Sequence, residues 1–119
     1  MERAFLHGVH LLNRAEFFEC HEALEEIWTP ERGPRRLFLQ ALIHLAVGFY
    51  HEQRGNPAGA ERQLRKGLRK LAGYMPACES LDTWRLYQDA RAGLDCVLRR
   101  EPIRQFPRIH AAGGSPLVE

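Results

Sequence analysis

The chain of 119 residues lacks a paired set of cysteines. Cys20, Cys78 and Cys96 are odd in number, far apart and free of any Cys-x-x-Cys spacing, which excludes a disulfide framework, a zinc ribbon and a common redox pair. They read as reduced thiols, two of them in the core. An excess of one charge is also missing, since 17 basic and 15 acidic residues leave a net charge of +2. That balance implies neither nucleic acid nor an anionic membrane as partner. The longest apolar run, residues 37–50, is broken by Gln40 and His44 and is too short to span a bilayer. The opening stretch MERAFLHGVHLLNR is charged at once, holds His7 and His10 in its apolar part, and has no small-residue cleavage site. It does not read as a secretion signal, so the expected location is cytoplasmic.

Half-buried strands are missing too, for no segment alternates apolar and polar residues. Helical spacing recurs almost everywhere, which predicts an all-α chain: a compact antiparallel bundle of four to five helices over residues 1–101, followed by an extended or disordered tail over 102–119. The first helix, about 3–12, aligns Phe5, Val9 and Leu12. Asn13-Arg14-Ala15-Glu16 reads as a capping box for a second helix ending near Trp28. Pro34 suits the first turn of a third helix that runs to about 53 and is apolar almost all round. Gly55 fits a C-cap and Asn56 an N-cap for a fourth helix reaching about Tyr74. Asp82 caps a fifth, which carries Trp84, Tyr87, Leu94 and Leu98 and stops before Pro102. Trp28, Trp84 and Tyr87 are expected in the core.

Chemistry concentrates on two faces. On the second helix Phe17, Leu24 and Trp28 define the apolar stripe, and His21 falls within it with Glu25 one turn above. A buried carboxylate needs a partner, and the His21 imidazole is the nearest candidate. On the third helix Gln40, His44 and His51 project within about 40° of one another along an otherwise apolar cylinder. If these faces meet, imidazoles and carboxylates converge as in zinc, iron or manganese sites. The run His21-Glu22-Ala23-Leu24-Glu25 has the form His-Glu-x-x-Glu, close to the zinc protease motif in which the intervening Glu is general base. The bland alternative is a set of buried polar groups that only satisfy one another.

Residues 10–75 resemble a family of small bacterial and archaeal helical proteins, domain of unknown function family 309. The resemblance rests on Asn13, on FFECHEALEEIW and FLQALIHLAVGFYH, on Arg54-Gly55-Asn56 and on Gly59-Ala60. Relatives usually carry Glu19, His21, Glu22, Glu25, Trp28, Gln40 and His51 as found here, and often have Gln where this chain has His44. Some members are labelled predicted metal-dependent hydrolases. The resemblance therefore implies a helical bundle with His21, Glu25 and His51 as metal ligands, Glu22 as base, and Gln40 and Asn56 as ligand-binding residues. It favours His51 over His44 as the imidazole opposite His21.

The expected function is a His/Glu pocket for a divalent metal or small polar ligand, with metal-dependent hydrolysis as the implied reaction, and whether the chain is an enzyme stays open. The alternative is a non-enzymatic interaction module in which the His/Glu cluster is structural. There the fourth helix, with Arg62, Arg65, Lys66, Arg69 and Lys70 opposite Leu64, Leu68 and Leu71, would contact an acidic partner or RNA. Without interleaved aromatics that face reads first as solvated, and nucleic acid is not the expected partner. A homo-oligomer is compatible with the pattern.

Overall fold

The computed structural model of the chain describes residues 2–114 and 117. Among them, five α-helices follow one another: α1 (Arg3–Asn13), α2 (Phe17–Trp28), α3 (Arg36–Gln53), α4 (Pro57–Leu71) and α5 (Thr83–Leu98). A small antiparallel hairpin, β1 (Ala77–Cys78) with β2 (Leu81–Asp82), precedes α5. The chain is an all-α bundle, as its periodicity predicts. No helix among the described residues is long and apolar enough to cross a membrane.

Local chemistry explains most boundaries. Asn56 Oδ1 accepts from the Gly59 N–H at 3.0 Å, Pro57 opens α4, and Gly55 (φ +73°) ends the preceding turn in a conformation that disfavours a side chain. Asp82 Oδ1 accepts from the Arg85 N–H at 2.9 Å and caps α5. Two expected starts are corrected. Asn13 is the last residue of α1 and caps nothing: α2 begins at Phe17 behind Glu16, which makes no capping bond and pairs instead with Arg14. Pro34 lies in a turn, and α3 starts at Arg36.

α3 is the central helix, flanked by α2 and α4. It buries Phe38, Leu39, Ala41, Leu42, Leu45, Ala46 and Phe49, and α1 adds Phe5, Val9 and Leu12. Its approach to α4 is close because glycines stand at the contact. A Cβ on Gly48 would lie 2.7 Å from the Leu64 side chain, and one on Gly67 2.8 Å from Leu45. Residues 102–111 form no helix and pack on the bundle. The Phe106 ring lies edge-on to Phe17 and Phe49, Ile109 is buried, and the backbone of His110 and Ala112 bonds to the hairpin at Asp82 and Ser80.

Several core expectations change. Cys20 is buried, whereas Cys78 and Cys96 are only half-buried. Trp84 is 52% exposed and not a core aromatic, and Tyr87 is half-buried. Trp28 packs at the core edge, its ring covered by the Arg36 guanidinium at 4.0 Å and its buried indole N–H without an acceptor among the described residues.

Candidate functional site

The α2 stripe and the α3 seam do meet, but not as a cluster of charges. His21 Nδ1 lies 2.9 Å from the Phe18 carbonyl oxygen. A carbonyl only accepts, so Nδ1 donates and the neutral ring carries its lone pair on Nε2. That Nε2 stands 3.5 Å from Glu25 Oε1, an ion pair only when the ring is protonated. With the Glu25 side chain 49% exposed, water screens the pair and its worth is small.

His51 is held in the opposite sense. Because Asn56 Oδ1 is taken by the Gly59 N–H, the other end of the amide, Nδ2, faces His51 Nδ1 at 3.3 Å and donates to it. The lone pair is therefore on Nδ1, and in the neutral ring the proton is on Nε2. One cavity of about 190 Å³ receives both imidazoles and is lined by Phe17, Phe18, His21, Val47, Tyr50 and His51. Its walls are otherwise apolar, with the Phe18 ring centroid 5.2 Å from that of His21 and 5.4 Å from that of Tyr50.

The remaining expected residues stand apart from this cavity. Glu25 touches His21 but does not line it, and Glu22 is exposed on the outer side of α2. Gln40 is half-buried on α3, eleven residues before His51 and so about 16 Å along the helix axis. Asn56 acts on the His51 ring and does not line the cavity. His44 turns toward α4, where its Nδ1 donates to Gln63 Oε1 at 2.8 Å. Burial lowers the His44 pKa, the bond to Gln63 opposes this, and the charges of Lys70 and Lys66 lower it further.

Among the described residues no three His, Cys, Asp or Glu side chains come together as a metal site. The expected set is divided: His21 and Glu25 offer two donors, while His51 stands apart from them across the cavity and has its Nδ1 engaged by Asn56. This donor set does not fit a metal centre, which needs at least three protein ligands in the usual catalytic zinc arrangement.

Phe18, Val47 and Tyr50 line the cavity without having been read as site residues. The signal was in the sequence for Phe18, which sits three residues before His21 on one helical face. Tyr50 is adjacent to His51 and Val47 one turn before it, inside a run that reads simply as core.

A family model described as Domain of unknown function (DUF309) matches residues 5–63. The chain is also 40% identical over 67 residues to "Uncharacterized protein YpuF" of Bacillus subtilis (strain 168), a match covering 56% of this chain. It spans 38% of the length of that relative.

Proposed function

We propose, from the premise that through residues 5–63 this chain belongs to the family described as Domain of unknown function (DUF309), that it is a small-ligand-binding protein whose site is the cavity between α2 and α3. One observation carries the reading: two imidazoles from different helices line a single apolar cavity, each with its Nδ1 occupied by a fixed partner. His21 then offers a lone pair on Nε2 and His51 a proton on Nε2, which makes an acceptor and a donor available together. Apolar walls with a few placed polar groups are the ordinary composition of a small-molecule site. The cavity also lies within the segment that defines the family match.

The ligand class follows from that lining. A compact molecule with an apolar or aromatic body would stack among Phe18, Val47 and Tyr50, and its polar edge would give one hydrogen to His21 and accept one from His51. Thermal shift and ligand-observed NMR with phenol, benzamide and similar small aromatics test this. Binding should be lost in His51→Ala and weakened in Asn56→Ala, which frees the ring to adopt the other tautomer. No binding by any probe, or binding indifferent to both substitutions, would overturn the proposal.

The metal-dependent hydrolase reading is weaker on the same geometry, because Glu22 points away from the cavity and only His21 and Glu25 stand together. Elemental analysis of protein purified without chelator or histidine tag tests it. Stoichiometric zinc, manganese or iron that is lost in His21→Ala would revive it.

A further inference from the structure

The face of the bundle that holds the cavity is divided by charge. α3 forms its floor with the half-buried Gln40, His44, Val47 and His51, while α2 and α4 stand on either side. On the groove side of α2 comes Glu25, with Glu22 next toward the outer side and Glu26 beyond it, and α2 contains no Lys or Arg. The groove side of α4 carries Lys66 and Lys70, with Arg62 and Arg69 beyond on its outer side, the placement that follows from Gln63 bonding to His44 and from the charges of Lys66 and Lys70 reaching that ring. The acid on α4, Glu61, is paired with Arg65 at 3.0 Å.

Of these charges only Glu25 has an ion-pair candidate among the described residues, the His21 ring at 3.5 Å. Glu22, Glu26, Arg62, Lys66, Arg69 and Lys70 have no ion-pair partner among the described residues, and α3 separates the two walls. Between the walls lies apolar surface: Phe18 is 42% exposed and continues into Val47 and Tyr50 around the cavity mouth. An acidic ridge, an apolar strip and a basic ridge in that order form a surface complementary to itself. Rotation by 180° about an axis along α3 lays the acidic ridge of one copy on the basic ridge of the other, twice, and brings the two apolar strips together.

We infer that the α2–α3–α4 face binds a second copy of this chain in a two-fold dimer, with each cavity mouth covered by the partner's α4. The inference stands whatever the cavity binds. A polyanion on α4 alone would use the basic ridge but leave the acidic ridge and Phe18 without a role.

Sedimentation equilibrium of the full chain tests this through paired charge reversals. Glu22→Lys with Glu25→Lys, and separately Lys66→Glu with Lys70→Glu, should each weaken self-association at least tenfold, since in either variant like charges face like across both contacts. An equimolar mixture of the two variants should dimerise again, because every reversed ridge then meets its complement. Raising the ionic strength from about 0.05 M to about 0.5 M, which shortens the Debye length from roughly 14 Å to roughly 4 Å, should weaken the unmodified dimer. Circular dichroism checks that both variants remain helical. A monomer at every concentration, or a dimer insensitive to either reversal, or variants that fail to re-pair on mixing while folded, would each overturn the inference. Binding of a polyphosphate probe without self-association would assign the basic ridge to a polyanion instead.

Discussion

The carboxamide of Asn13 clasps the backbone of Ile109: Asn13 Nδ2 donates to the Ile109 carbonyl at 2.9 Å, and the Ile109 N–H donates to Asn13 Oδ1 at 2.6 Å. Both backbone polar groups of one residue outside the helices are thus satisfied by one side chain 96 positions away. Asn13→Ala should leave both unpaired beside a buried Ile109 and destabilise the protein by about 2 kcal/mol, measured by urea unfolding. Asn13→Asp should do no better than Ala, because a second oxygen would face the Ile109 carbonyl. Unchanged stability in either variant would mean that the segment is not held there.

That clasp also shows what a sequence can and cannot disclose. Asn56 and Asp82 are legible as caps because their partners lie three residues on, at Gly59 and Arg85. Asn13 carries the same local signature, yet its partner is distant and nothing nearby marks it. The hairpin at Ala77–Cys78 and Leu81–Asp82 is invisible for another reason, since two-residue strands are too short to show alternation. In the site, periodicity puts His21 on the apolar face of α2 and Gln40, His44 and His51 on one face of α3, and of these His21 and His51 line one cavity. It could not say that Phe18 and Asn56 already occupy their Nδ1 atoms, nor that Trp84, apolar in type, would stand in solvent.

His44 should make stability depend on pH. Its pKa is lowered in the folded state, chiefly by burial, so below the ordinary value of 6.5 the unfolded chain binds the proton more readily than the folded one. The contribution is complete above that value and is lost as pH falls through it. His44→Gln, which can keep a bond to Gln63, should flatten the stability profile between about pH 7 and pH 5. Equal slopes in the two proteins would rule out His44 as the source.

Cys20 should resist thiol reagents for as long as the protein is folded. Burial raises its pKa to about 12, so the thiolate that reacts is scarce as well as enclosed. Mass spectrometry after a brief exposure to a disulfide reagent at pH 8 should find Cys20 unmodified, and full labelling only in denaturant. Labelling of Cys20 in the native protein would indicate local opening of the α1–α2 contact.

Gly67→Ala should be harmful although alanine favours helices by about 1 kcal/mol over glycine. The added methyl would stand 2.8 Å from Leu45 and 3.0 Å from the Ala41 carbonyl oxygen, and backbone cannot move aside as a side chain can. A net loss of about 1–3 kcal/mol is expected in urea unfolding. A more stable variant would show that α3 and α4 have room to separate.

The two tryptophans stand in opposed settings, Trp28 at the core edge under the Arg36 guanidinium and Trp84 with half its surface in water. They therefore emit as separate signals. Trp84→Phe would leave a single tryptophan at the α2–α3 junction, next to the face that carries the cavity. Its emission would report on that junction without any added dye, and Trp28→Phe would leave a companion that watches the start of α5.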